Sequence, residues 1–377
     1  MINKLLRFIK YLNRQRNLKV KPLKIAIKLA LLNHKKKIRT VLSPEKYKTV
    51  AILMNDQGIG DAIVTSYLIR TLRDKGYTVY VIVEKRIAFL FDEFIRVDGT
   101  FLYDKKKNIK YLSKQLDNLK IDVAIDLVDK GDNSVRRSQI LSTIKPIHTI
   151  GFNQEQYKLY DTSIPYFEYS SHISVRSIKV LDIMKIKTDV VKYYVNIPKE
   201  IEMSVQDFIN KEIGNDKKII IFNPYGSNEA RSFSDAQIDT ILFFLSQYKN
   251  YLTMVVGEQN KIGRLKVNDK QNILINPFSS FFSTVALIKL SAFVITVDTS
   301  IVHIASIYNK KMACVYNNRI IDNKFINNLV WGPNYSNAVQ LFTNDNLGTG
   351  LGDQIANLDP NIILQHLKSN LEKLSTN

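Results

Sequence analysis

The chain has 377 residues, of which 45% are hydrophobic, and a formal charge of +19. That length accommodates two domains, each with its own core, and the composition excludes a low-complexity or disordered protein. The single cysteine, Cys314, excludes a disulfide framework and a cysteine-based zinc site, points to a reducing compartment, and is expected in the core because it lies in an apolar run.

The charge is unevenly placed. Residues 1–44 carry thirteen Lys and Arg and no Asp or Glu, which leaves only +6 for the rest of the chain. Ile2, Leu5, Leu6, Ile9 and Leu12, and later Leu23, Ile25, Ile27, Leu29, Leu31 and Leu32, interleave with these cations. Residues 1–46 therefore read as a basic amphipathic arm. One expectation is that it lies on an anionic membrane surface, where each basic residue adds roughly 1 kcal/mol of attraction. The other is a helical extension packed on the body. Nucleic-acid binding is not expected, because no recognisable binding module accompanies the arm. Near the N-terminus no apolar stretch reaches the length of a membrane span and no cleavage site follows a hydrophobic segment, so a cytoplasmic protein is expected, peripheral on the inner membrane.

From Tyr47 onward apolar strands alternate with amphipathic helices, the pattern of an α/β protein with parallel sheets. Strands are predicted at Val50–Met54, Val79–Val83 and Val123–Leu127, with a further candidate at Ile147–Gly151. Helices are predicted at Asp61–Lys75 and Ile109–Leu119. Pro198 then breaks the pattern, which separates a first unit, 47–199, from a second, 200–350. Glu200–Ile213 leads as a helix into strands Lys218–Asn223, Leu252–Val256, Ile273–Ile275, Phe293–Val297 and Ala313–Tyr316. Helices at Asp235–Gln247, Phe282–Leu290 and Ile301–Tyr308 connect them. A terminal helix, Asp359–Leu374, closes a last segment, 351–377, with Leu364, Leu367, Leu371 and Leu374 as its buried stripe.

Three strand-to-helix loops carry candidate chemistry. In the first, Gly58 and Gly60 allow a tight turn and close backbone approach, and Asp61 falls at the helix start, where it either caps the helix or acts on a ligand. The loop lacks the third glycine of a dinucleotide fingerprint and the Lys-Ser/Thr pair of a P-loop. In the second, Gly226, Ser227 and Arg231 follow a strand, offering a flexible turn, a hydroxyl and a cation to a pyrophosphate. In the third, Asp298, Thr299, Ser300 and His303 open a helix whose amides suit phosphate oxygens. Asp298 either caps that helix or accepts sugar hydroxyls; His303 either faces the ligand or is a half-buried residue bonded within its helix.

Together, the Gly58-Ile59-Gly60-Asp61 loop, Asp122–Leu127, Ile150-Gly151-Phe152, Asn223–Ser227, Val256-Gly257-Glu258, Asp298–Ala305 and Trp331-Gly332-Pro333 resemble glycosyltransferase family 9, the heptosyltransferases of lipopolysaccharide core assembly. The similarity covers about residues 48 to 345 and rests on several motifs in order. The resemblance implies a GT-B fold of two Rossmann-like domains facing a cleft, with acceptor on the first and nucleotide sugar on the second. It implies an inverting reaction with ADP-heptose as donor. It would make Asp61 the catalytic base, Arg231 a contact to donor phosphate, Asp298 the acid that binds the donor sugar, Thr299 and Ser300 diphosphate ligands, and Glu258 a partner of the ribose. The chain departs from the family's pattern with Ser300 where a glycine is usual, Arg231 where Lys is common, and Asp56 before the first loop, an acid that either raises the Asp61 pKa or faces solvent.

An inverting transfer needs one carboxylate to take the acceptor proton and a cradle of cations and amides for the departing diphosphate. Asp126, Asp129 and Asp132 are spaced too widely for an Asp-x-Asp metal motif, so no metal and no cofactor is expected; Arg231 and a helix N-terminus do that work. Three alternatives stay open: a transferase of the same fold using another nucleotide sugar or surface-glycan acceptor, a nucleotide-sugar epimerase, and a non-catalytic glycan-binding protein. The role of His172 is open.

Overall fold

The computed structural model describes residues 16, 20, 23–33, 38–104, 109–116, 119–129, 134–188, 190–212, 217–267, 270–321, 324–343 and 353–375. Two six-stranded sheets dominate it. The first comprises β1 (Thr49–Leu53), β2 (Thr78–Glu84), β3 (Gly99–Tyr103), β4 (Val123–Ile125), β5 (His148–Phe152) and β6 (Thr162–Ile164), in the order β3-β2-β1-β4-β5-β6. The second comprises β7 (Lys218–Asn223), β8 (Tyr251–Val255), β9 (Ile273–Ile275), β10 (Phe293–Val297), β11 (Lys311–Tyr316) and β14 (Ala338–Phe342), in the order β14-β11-β10-β7-β8-β9. All neighbours within each sheet are parallel. Read from its first strand, each sheet has the same topology, with its order reversing between β1 and β4 and between β7 and β10. Such reversal points leave a crevice at the carboxyl ends of the strands, where ligands bind. A short antiparallel ribbon, β12 (Ile320–Ile321) with β13 (Phe325–Ile326), follows β11.

The central strands are uninterrupted runs of branched and aromatic residues, as expected where helices cover both faces of a sheet. β1 and β7 are buried over nearly their whole length. The helices that matter to the site start on defined caps. Helix α1 (Ile59–Asp74) starts after Gly58. Helix α2 (Asp235–Ser246) opens with a capping box, Ser234 accepting from the Gln237 amide. Helix α3 (Phe281–Leu290) is capped by Ser280, and helix α4 (Ser300–Ile307) by Thr299.

Strand positions in the core follow the sequence pattern to within a residue or two. β3, β6 and β14 were not predicted. All three are sheet edges with mostly half-buried residues, so they carry no continuous apolar run to announce them. A helix at Ser134–Ile144 and another at Val175–Ile183 were also missed; the first is polar enough to blur the helical period, and the second is amphipathic but only nine residues long.

The two halves share a continuous apolar core. Residues of α1 such as Ile63 and Leu68 and residues of α3 and α4 such as Phe282 and Val302 belong to one buried cluster. Phe89 and Phe94 of the first half pack edge-on against Phe281 and Phe282 of the second, with ring centroids 5.3–6.0 Å apart. Backbone hydrogen bonds from Ile326 to Tyr169 and from Ile173 to Val330 add a second junction. As Pro198 requires, the connecting segment becomes helical only at Lys199, and that helix, Lys199–Glu212, lies against α3. The terminal helix, Pro360–Ser375, belongs to the second half: Ile363, Leu367 and Leu371 are buried with Ile238, Ile241 and Leu245 of α2. Leu364 is partly buried there, and the Leu374 side chain lies outside the described residues. Cys314 is fully buried on β11.

Candidate active site

A cavity of about 950 Å³ lies where the two reversal points face one another. From the first half it is lined by the loop 56–58, the start of α1 with Gly60 and Asp61, and Arg86. From the second half come Gly226, Ser227, Arg231, Glu258, Asp298, Thr299, Ser300 and His303. All the residues singled out in the three loops thus reach one space.

Asp61 is the third residue of α1, two positions later than predicted relative to the helix start. Its carboxylate takes the Gly58 amide at 2.6 Å, so the capping role is real, and the same side chain lines the cavity. Burial pushes its pKa up to about 6, against the lowering pull of the Gly58 amide and of the Arg86 guanidinium. Asp56 is not the source of that rise. It occupies a left-handed backbone conformation, φ 64°, accepts from the Asn55 amide and lies 3.6 Å from Arg136.

In the second half, the bond network at the reversal point is built on Asn223, whose amide donates to Thr296 and Thr299 hydroxyls at 2.9 and 3.0 Å and so ties the ends of β7 and β10. The cap of α4 is Thr299 and not Asp298. Asp298, 7% exposed, instead pairs with Arg231 at 3.0 Å and accepts from Asn327 at 2.9 Å through the same oxygen. Arg231 also donates to the Ser227 hydroxyl, so the guanidinium is held between two side chains before any ligand arrives. Gly226 is required here by space: a Cβ would lie 2.3 Å from the Arg231 carbonyl oxygen. Glu258 stands at the rim, with most of its side chain exposed and Lys261 at 3.2 Å.

His303 is 3% exposed, and among the described residues its Nδ1 has no hydrogen-bond partner, so that nitrogen is not bonded within the helix. Burial, assisted by neighbouring His172, drives its pKa down to about 3, and the ring is neutral. His172 is likewise depressed to about 4 by burial. Its Nδ1 accepts from the Ser174 amide, which puts the proton on Nε2. With Tyr193 and Trp331 these imidazoles form an aromatic floor, ring centroids 6.1–6.5 Å apart, beneath the start of α4.

The sequence reading missed two cavity cations, Arg86 and Arg319, and the polar contact from Asn327. Arg86 follows β2 and Arg319 follows β11, so neither belongs to a glycine-bearing loop, and no local signal marked them. Asp126 does not line the cavity: fully buried, it pairs with Arg137 at 3.1 Å and accepts from the Tyr160 hydroxyl at 2.8 Å. Asp132 lies outside the described residues.

The arrangement can accept a proton at one wall and hold an anion at the other. Comparison with known proteins is consistent with that geometry. Over residues 109–338 the chain matches the model of glycosyltransferase family 9 (heptosyltransferase). It is 26% identical to a protein of Escherichia coli K12 named "Putative lipopolysaccharide heptosyltransferase 4", covering 83% of this chain and 86% of that one. Among solved structures, a family 9 glycosyl transferase from Veillonella parvula superposes with a TM-score of 0.68 at 14% identity, covering 87% of this chain and 98% of that one. The E. coli ADP-heptose lps heptosyltransferase II does so at 0.64 and 16%, covering 87% and 99%. The E. coli heptosyltransferase WaaC with ADP-2-deoxy-2-fluoro heptose gives 0.62 at 13%, covering 85% and 99%. These structures share the GT-B architecture of two facing parallel sheets. The chain belongs to glycosyltransferase family 9.

Proposed function

We propose that the protein transfers a heptose from ADP-heptose to a sugar of the lipopolysaccharide or lipooligosaccharide core, with inversion at the anomeric carbon. The observation that carries this reading is the convergence of Asp61, from the first half, with Arg231, Asp298 and the start of α4, from the second, on one cavity. The names of the E. coli relatives supply the donor and the acceptor class.

In this mechanism an acceptor hydroxyl attacks the anomeric carbon from the face opposite the diphosphate. Asp61 takes the hydroxyl proton as the new C–O bond forms and the sugar–phosphate bond breaks. Its raised pKa makes it a stronger base than an ordinary aspartate while leaving it ionised at neutral pH. The departing diphosphate meets the Arg231 guanidinium, the Ser227 and Ser300 hydroxyls and the amides at the start of α4. These groups do what a divalent cation does elsewhere, so turnover is expected to persist in a chelator. Asp298, anchored by Arg231 and Asn327, accepts hydroxyls of the donor sugar, and Glu258 meets the ribose at the rim.

Calorimetric titration with ADP, UDP and their sugars tests the donor: binding confined to uridine nucleotides would overturn the ADP-heptose assignment. Asp61→Ala should abolish transfer and leave donor affinity nearly unchanged. Retained turnover would remove Asp61 from the role of base. Proton NMR of the product reports the anomeric configuration. Release of epimerised free sugar without acceptor, or acceptor binding with no turnover on any donor, would favour the epimerase or the non-catalytic reading.

A further inference from the structure

The helix over residues 23–33 is apolar on two sides. Leu29, 6% exposed, and Leu32 face inward, Leu32 against the cluster that holds Tyr157, Leu159 and Tyr160. The segment after the helix is tied to the same part of the first half. Asn33 accepts from the Lys158 amide, Arg39 donates to the Glu155 carbonyl, and Thr40 bonds Asp161 at 2.6 Å and the Ile147 carbonyl at 2.9 Å. The opposite side of the helix is bare: Leu23, Ile27 and Leu31, one turn apart, are 62%, 53% and 64% exposed. Lys24 and Lys28 stand beside that row, also exposed. A soluble helix has no use for a second apolar face unless something covers it.

Charge decides what that is. The first 44 residues hold thirteen cations and no acid. A second copy of the chain would bring the same uncompensated charge against itself, whereas an anionic lipid surface complements both the row of Leu and Ile and the lysines flanking it. We propose that this face seats on an anionic phospholipid headgroup layer, with Leu23, Ile27 and Leu31 entering it and Lys24 and Lys28 at phosphate level. The inward face then acts as a rigid bracket, which fixes the first sheet, and with it the cavity, at a set orientation to the membrane. On this proposal the helix over residues 23–33 is packed on the body by one side and open to a membrane on the other.

Flotation or co-sedimentation of the full chain with vesicles of phosphatidylethanolamine and phosphatidylglycerol, against vesicles of phosphatidylcholine, tests this without donor or acceptor. The wild type should bind the anionic vesicles and not the neutral ones. L23Q/I27Q/L31Q should lower that binding at least about tenfold, and K24Q/K28Q roughly tenfold or more, in a salt-dependent way. Unchanged urea midpoints and nucleotide affinity in both variants show that the body is intact. Absence of vesicle binding, binding indifferent to lipid charge, or a concentration-dependent dimer that L23Q/I27Q/L31Q converts to monomer would each overturn the proposal, the last by assigning the face to a second copy. Because the assay reads no turnover, its failure leaves the transferase reading standing, and failure of that reading leaves this one.

Discussion

A methyl group added to Gly60 would sit 3.3 Å from Cδ2 and 3.7 Å from Nε2 of His303, and 3.9 Å from the Ser300 Cα. Gly60 opens a helix of the first half and His303 lies on a helix of the second, so the two helix starts that frame the chemistry meet at this one bare backbone position.

Substitution at Gly60 should therefore separate stability from catalysis. Replacing a helical glycine by alanine favours the helix by up to about 1 kcal/mol, whereas the added Cβ pushes on an imidazole that is packed on its other side by Tyr193 and Trp331. Gly60→Ala should leave the unfolding midpoint near that of the wild type and reduce kcat at least tenfold; Gly60→Val should cost more in both. Wild-type kcat in Gly60→Ala would show that the close approach has no catalytic weight.

The Asp61 carboxyl makes two measurable statements about pH. Transfer should rise with pH through a pKa near 6 and level off above it, since only the ionised form accepts a proton. Stability runs the other way. With the folded pKa raised above the unfolded value of 3.8, ionisation favours the unfolded chain, a cost absent below about pH 3 and complete above about pH 7. At neutral pH it amounts to roughly 3 kcal/mol at most. Asp61→Asn, which keeps an acceptor for the Gly58 amide, should be inactive and more stable than wild type at pH 7.5, with the difference vanishing at about pH 3. Urea titrations at the two pH values check it.

The Arg231–Asp298 pair should be energetically lopsided. Arg231→Met leaves a nearly buried carboxylate with only the Asn327 amide, at a cost of about 3 kcal/mol, the low end for a broken buried pair because Arg231 keeps 19% of its side chain exposed. Arg231→Met with Asp298→Asn should recover most of that stability and none of the donor affinity. A double-mutant cycle by urea unfolding, with nucleotide affinity measured in parallel, resolves the two roles.

At the junction of the halves, Phe282→Ala should cost about 3–4 kcal/mol, as expected for a buried phenylalanine. Its ring touches both Phe89 and Phe94 across the interface, so loss of it should also split a single calorimetric transition into two. A single, merely lowered transition would mean that the backbone bridges at Tyr169 and Val330 suffice to couple the halves.

The sequence by itself determined the central strands, most of the helices of the second half, the long helix after Gly58, the break at Pro198 and the three loops that reach the cavity. It did so because fully buried parallel strands are short apolar runs and because glycines and acids at strand ends have few other uses. It left Asp61 suspended between capping and chemistry; the structure shows the capping bond and sets the same residue on the cavity wall, where the proposed proton transfer would take place. Tertiary structure alone decided that Asp298 anchors Arg231 and not a helix end, that Arg86 and Arg319 join the site, and that the helix over residues 23–33 shows one apolar face inward and one outward. Those outcomes depend on which side chains from distant segments share a volume, and spacing along one chain carries no record of that.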